Sequence, residues 1–262
     1  SAFGAFVGET AFIGACNLLV EGVADQILIS GAARLTRNIA GGVESETLDL
    51  NRIVIVPCGS ASQVPYMLYL IRGRDADKPP VVALLDSDPS GDAAARLMRK
   101  DHKRMRRLID KAYVIQLGDL PLFDSPPKTI EMEDLIPAPL AVAAANAFLS
   151  EVGRFHESET PKLTSAEFDA QSSMGKGVFD AVDAAASAYG MHIEKLGFAR
   201  AVIDLCRSTG TDGDLCEDVN RFLMRMRHLF AAINAQRRNA ERESTRERVG
   251  SRVERQQKIF IQ

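Results

Sequence analysis

The four cysteines of this 262-residue chain, Cys16, Cys58, Cys206 and Cys216, form no CxxC pair and no Cys/His metal spacing. Free thiols in a reducing cytoplasm are therefore expected, and a zinc module is excluded. There is no excess of positive charge either. The net charge is −3, so any attraction for nucleic acid must come from local basic patches rather than from the molecule as a whole. The opening stretch SAFGAFVGETAFIGACNLLV lacks a basic leader and contains Glu9 and several glycines, so neither a signal peptide nor a membrane span is expected. No initiator methionine is present, from which a fragment of a longer protein is expected, and no internal repeat is visible. With 46% hydrophobic residues the chain has enough apolar material for a proper core, in one large or two small domains.

What is present centres on VVALLDSDPSG, residues 81–91. Val81 to Leu85 is too short and too uniformly apolar for a surface helix and reads as a buried strand of a parallel sheet. Pro89 and Gly91 mark the turn after it. Asp86 and Asp88 then stand at the C-terminal end of the strand, where open α/β sheets place ligands. Paired carboxylates there suit a hard divalent cation. The plainer alternative makes them turn formers, one of them an N-cap.

Similar strand-to-helix units precede and follow. A short strand ends at Val20, with Glu21-Gly22 and a helix over 23–35 that carries Asp25 in its first turn. A second strand, Ile53 to Val56, leads through Pro57-Cys58-Gly59-Ser60 into a helix around Val64 to Ile71. A long helix from about Asp92 to Asp110 carries Arg96, Arg99, Lys100, Lys103, Arg104, Arg106, Arg107 and Lys111. It is either a solvated face or a phosphate contact, for which Arg99, Lys103, Arg106 and Arg107 are the candidates. A fourth strand is predicted over 112–117. Beyond about Pro139 strand signals stop: 140–153 and 176–206 read as helical, with a polar loop around His156 to Gln171 between them. Residues 215–236 read as another helix and 237–258 as a mixed-charge helical tail. The expectation is an α/β fold, a parallel-sheet Rossmann-like core over 1–137 with a helical region over 138–262, of which 190–206 packs back on the core.

Three acidic clusters thus follow strands: Glu21; Asp86 and Asp88; and Glu131, Glu133 and Asp134. In a parallel sheet these positions face one edge, and their mutual repulsion calls for cations, of which Mg²⁺ or Mn²⁺ fits an all-oxygen ligand set. Two such ions suit phosphodiester cleavage.

LLVEG (18–22) followed by LLDSDPSG (84–91) resembles the Glu…DxDxxG signature of the Toprim domain, shared by primases, topoisomerases, recombination mediators and nucleases. VEGVAD (20–25), VPCGS (56–60) and IEMEDLIP (130–137) are most similar to the OLD (overcoming lysogenisation defect) nucleases, and HIEKLGFAR (192–200) resembles the helix carrying that family's lysine. The resemblance implies a DNA endonuclease of low sequence specificity, with two metal ions held by Glu21, Asp25, Asp86 and Asp88; Glu133 is the foremost ligand or water-positioning acid of the third cluster, where the order of Glu131, Glu133 and Asp134 stays open. It implies Lys195 as the cation facing the transition state, with Glu131, Asp134 and Ser87 as further metal or phosphate contacts. An N-terminal ABC ATPase domain is the implied neighbour, and a UvrD-like helicase is a partner of some members in phage defence. No Walker A pattern occurs here, so this piece is not expected to hydrolyse ATP. A topoisomerase would need a nucleophilic tyrosine, whereas Tyr66, Tyr69, Tyr113 and Tyr189 lie in apolar or helical patterns. A HAD-like phosphatase, in which Asp86 would be a nucleophile, and a non-catalytic DNA-binding or scaffold domain are the competing readings.

Overall fold

The computed structural model describes residues 16–37, 43–72, 79–99, 113–155, 160–209 and 214–260. Four parallel strands, β1 (Cys16–Val20), β2 (Ile53–Pro57), β3 (Val81–Leu85) and β4 (Val114–Gln116), form one sheet in the order β2-β1-β3-β4. The chain leaves β1 towards β2 on one side and resumes at β3 on the other. The topological switch point therefore falls between β1 and β3, where doubly wound sheets open a crevice.

Apart from the buried Asn17 and Gln116, the strands are apolar on both faces because both are covered. Leu18, Val20, Ile53, Ile55, Val82, Leu84 and Ile115 point into one core, while Leu19, Val56, Val81, Ala83, Leu85 and Val114 point into another. That is the period-two alternation of a strand, with no polar side to spare. The second core is closed by α2 (Val64–Arg72) and α3 (Pro89–Arg99), through Val64, Leu68, Ile71, Ala94, Ala95 and Met98. The first is much larger. It joins α1 (Val23–Arg37) to α4 (Ala138–Phe155), α5 (Ser165–Ser172), α6 (Val178–Ser187), α7 (Lys195–Ser208) and the front of α8 (Cys216–Phe260). The alanine-rich sequence of α4 and α6 permits this close helix packing. Gly31 of α1 and Gly197 of α7 meet Ile203 and Phe148 so closely that a methyl group at either position would overlap them.

Several details depart from the sequence reading. Residues 165–172, expected within a polar loop, form α5. Thr164 caps it, with Glu167 bonding back to the Thr164 N–H, a reciprocal capping box. The predicted 176–206 helical stretch is two helices joined through Gly190, at φ 73°. The predicted helix 215–236 and the tail are one 45-residue helix. β4 is shorter than 112–117 because Leu117 already turns into a 3₁₀ segment. The basic helix is described only to Arg99, and Lys103, Arg106 and Arg107 lie outside the described residues.

The long α8 lies against both cores. Val219, Phe222, Met226, Phe230 and Ile233 belong to the first and Ala240 to the second, so the helix passes the starts of the strands between them. Asn234 donates to the carbonyls of Ser45 and Thr47, and Arg227 pairs with Glu46 at 2.6 Å, fixing the connection before β2.

Candidate functional site

The parallel register sets the ends of β1 and β3 side by side, since Leu19 is opposite Ala83. Glu21 and Asp86, the residues that follow, meet as a result: the Asp86 N–H donates to Glu21 Oε1 at 2.9 Å. Asp25 lies on the first turn of α1, buried, with Oδ2 accepting the Gly22 N–H at 2.8 Å. A carboxylate there is favoured by the helix dipole, and it also aims the Glu21-Gly22 corner.

The DxDxxG loop has a different logic at each position. Asp86 Oδ1 accepts the Met132 N–H at 3.1 Å, which ties the loop to the second acidic turn. Ser87 pairs its backbone with Ile130 in an isolated antiparallel bridge, and its Oγ accepts the Gly118 N–H at 2.7 Å. Asp88 Oδ1 accepts the Gly91 N–H at 2.6 Å and caps α3, whose first residue is Pro89. Gly91 is required by contact rather than by an unusual dihedral, because a Cβ there would overlap the Asp86 carbonyl oxygen.

The cluster whose order the sequence left open is sorted by the 3₁₀ turn Met132–Leu135. Asp134 is used up structurally: Oδ2 accepts the Glu131 N–H at 2.8 Å and Oδ1 accepts the Val178 N–H at 2.7 Å at the start of α6. Glu133 turns inward, 1% exposed, with neither carboxylate oxygen aligned to any hydrogen-bond donor. Its one counter-charge among the described residues is Lys195, whose Nζ lies 3.1 Å from Glu133 Oε2 and 3.4 Å from Glu131 Oε2. The Lys195 ammonium stands at the first residue of α7, after the N-cap Glu194. A cation is disfavoured at a helix start, so the two glutamates offset what the dipole costs.

The electrostatics follow from this crowding. Burial, then Asp25, Glu21, Glu133 and Glu131, push the Asp86 carboxyl up to about 9. Burial pushes Glu21 up to about 7, with Asp25 and Asp88 adding to it against the Asp86 N–H. Glu133 is also raised to about 7, by burial first and against the pull of Lys195. Asp25 and Glu131 are raised too, again chiefly by burial. Burial alone would lower Lys195, but Glu133, Glu131 and Asp25 together carry it above the ordinary lysine range. Several desolvated carboxylates around one ammonium leave the pocket short of positive charge.

Glu21, Asp25, Asp86, Glu131, Glu133 and Lys195 are thus brought together, with Ser87 and Asp88 beside them. Arg99 is not. It donates to Gln116 Oε1 and the Val114 carbonyl at 3.0 and 3.1 Å, so its guanidinium braces the edge of β4. Sequence reasoning missed Arg225 of α8, which donates to the Leu135 carbonyl at 3.0 Å and stacks over Phe123 at 4.7 Å. It holds the Glu133 turn from behind. No local signal marks it, for the contact joins residues 90 apart.

A divalent cation fits the donor chemistry here. The buried Glu133 oxygens face Lys195 alone and align with no donor, the other carboxyls are raised by burial first and by one another second, and all the atoms are hard oxygens. The spacing is not yet that of a chelate. Among the described residues no three His, Cys, Asp or Glu side chains are grouped so as to hold one ion as they stand. Glu21, Asp25 and Asp86 each commit one oxygen to a backbone N–H instead.

No protein-family model matches the chain, and no curated protein matches it in sequence. In structure it is similar to the C-terminal region of the Xanthomonas campestris pv. campestris OLD protein, solved with mercury, iodine and platinum phasing. These structures are 19, 19 and 18% identical to it, cover 84% of this chain, and are themselves covered to 98, 97 and 95%; the TM-scores are 0.44, 0.41 and 0.41.

Proposed function

We propose that the chain is a Toprim-type, OLD-like DNA endonuclease domain that hydrolyses phosphodiester bonds with two Mg²⁺ or Mn²⁺ ions and little sequence preference. The observation that carries this reading is Glu133, a buried carboxylate with both oxygens short of donors, meeting Glu21, Asp25 and Asp86 at the switch point of a parallel sheet. Glu21, Asp86 and Asp88, with Asp25 and Glu133, are the residues that would hold the ions. Bound divalent cations supply Lewis-acid activation of water and charge compensation at the leaving oxygen.

The chain's own groups do the rest. Lys195, which donates to Glu131 Oε2 at 3.4 Å and lies 3.1 Å from Glu133 Oε2, is a fixed cation for a phosphate oxygen that gains charge. Ser87 Oγ accepts from Gly118 and keeps its own proton for a phosphate oxygen. Glu131, half-exposed beside Lys195, and Asp134, a brace for the turn, orient these groups. DNA is the substrate in this reading, an N-terminal ABC ATPase domain precedes the chain in the full protein, and a UvrD-like helicase is a partner of the whole; the site is a cytoplasmic one. No helix among the described residues is long and apolar enough to cross a membrane.

The test is incubation with supercoiled plasmid in Mg²⁺, Mn²⁺, Ca²⁺ or EDTA, with Asp86→Ala alongside. Nicked and linear product with Mg²⁺ or Mn²⁺, absent in EDTA and in the variant, is the expected result. Equal cleavage by the folded variant overturns the assignment. A folded wild type that binds DNA but never cuts it would favour a scaffold, and a trapped phosphate on Asp86 a phosphatase.

A further inference from the structure

At the other end of the sheet, where the strands begin, α8 forms one wall of a cleft of about 430 Å³ against the connection that leads into β2. Ser45, Thr47, Asp49 and Arg52 line it from the connection, and Asn234, Arg237, Arg238 and Glu241 from the helix. A second, more open cleft of about 410 Å³ continues along α8 past Arg238, Glu241, Arg242, Thr245 and Arg246. Arg238 and Glu241 line both, so the two read as one groove.

Charge along this groove is lopsided, against the acidic balance of the chain as a whole. Arg237, nearly buried, is neutralised by Glu241 at 2.8 Å. That leaves Arg52, Arg238, Arg242 and Arg246, all exposed, against Asp49 alone, which accepts the Asn51 N–H. None of these four has an ion-pair partner among the described residues. Arg238, Arg242 and Arg246 are four residues apart, so they follow one face of the helix at steps of about 6 Å. Glu243 stands about 60° round the helix from Arg246 and Glu247 about 100° from it, and neither lines the groove. The remaining lining groups, Ser45, Thr47, Asn234 and Thr245, are neutral and polar.

A row of evenly spaced guanidinium groups, none of them ion-paired among the described residues and outnumbering the carboxylates that line the groove, is complementary to a repeating anion rather than to a single one. We propose that this groove binds the phosphate backbone of DNA, as a second contact remote from the carboxylates. The groove and the acidic site lie at opposite ends of five-residue strands, about 17 Å apart by strand rise. The contact is to phosphates and carries no sequence information, and it compensates for the repulsion between DNA and the acidic site. It rests on the reading of the protein as one that acts on DNA.

The experiment measures binding of a fluorescent duplex by anisotropy across a salt series, with Ca²⁺ present and Asp86→Ala as parent so that no product forms. Arg238→Gln, Arg242→Gln and Arg246→Gln are each expected to weaken binding and to reduce the slope of log K against log salt by about 0.9. The triple variant should lose about 2.7 from the slope by the same rule. Arg207→Gln, an exposed arginine paired with Asp204 on α7, removes the same charge elsewhere and should leave the slope unchanged. Circular dichroism checks that each variant is folded. A folded triple variant with the parent's slope overturns the groove while leaving the DNA reading intact, and so does Arg207→Gln matching the groove variants. No binding by the parent overturns both. Slope loss in the groove variants with no plasmid cleavage by wild type supports the groove and removes the nuclease reading.

Discussion

The two ends of the sheet are built from the same strands and carry opposite chemistry. At the C-terminal ends, Glu21, Asp25, Asp86, Glu133 and Lys195 are drawn inward, and the carboxyls of Glu21, Asp86 and Glu133 are held protonated well above their ordinary range by burial. At the N-terminal ends, arginines of α8 stay exposed along a groove and keep their hydration. One end concentrates desolvated carboxyls around a single ammonium, and the other displays exposed positive charge. Converging backbone makes the difference. Loops leaving adjacent parallel strands must crowd at the C-terminal edge, whereas a straight helix crossing the opposite edge spreads its side chains at fixed intervals.

The largest effect should come from breaking the acidic end at its centre. Asp86→Ala should reduce plasmid nicking by more than about a hundredfold, beyond what losing an outer-sphere partner of a metal costs, with an unchanged circular dichroism spectrum. Gly91→Ala attacks the same loop through sterics. Its methyl group would overlap the Asp86 carbonyl, and urea denaturation should show a loss of about 1–3 kcal/mol, as for overpacking. Lys195→Met strands Glu133; the loss should be about 1–2 kcal/mol, below that of a fully buried pair because the Lys195 side chain is 41% exposed. Lys195→Met combined with Glu133→Gln should recover most of it, which a double-mutant cycle would measure.

A pH series tests the acidic end directly. The folded state holds protons on Asp86, Glu21 and Glu133 that the unfolded chain releases near pH 4, so the unfolded state binds fewer protons between those values. Without divalent ions, stability should be greatest below the ordinary carboxylate range. It should fall as pH rises through about 7, where Glu21 and Glu133 ionise, towards about 9, where Asp86 does. Mg²⁺ should flatten that fall, and Asp86→Asn should shorten its upper part. A Tm that climbs from pH 5 to 9 in EDTA would contradict the account. The smallest effect lies far from both ends: Thr164→Ala should cost about 1 kcal/mol through loss of the α5 cap, without touching cleavage.

Much of this was legible in the order of residues. Each strand of a parallel sheet covered on both faces is a short, mostly apolar run, so β1, β2 and β3 stand out even with Asn17 inside β1, and the acidic residues after β1 and β3 mark one edge without any coordinates. The helix α5 was legible too, in the reciprocal Thr164 and Glu167 pattern, but its polar composition and one-turn hydrophobic content read as loop. Glu133 could not be separated from Glu131 and Asp134 in sequence, because adjacent carboxylates differ only in the direction that a 3₁₀ turn gives them. Tertiary structure made Asp134 a brace for α6, Glu131 a half-exposed partner and Glu133 the buried acid. It also brought Lys195 from 62 residues beyond Glu133 and Arg225 from 90 residues beyond Leu135, and it turned an Arg-rich tail into the wall of a groove. Periodicity and turn chemistry are properties of neighbours in the chain, so sequence settles them. The ionisation of a carboxylate depends on which distant groups exclude water from it, and only the folded core decides that.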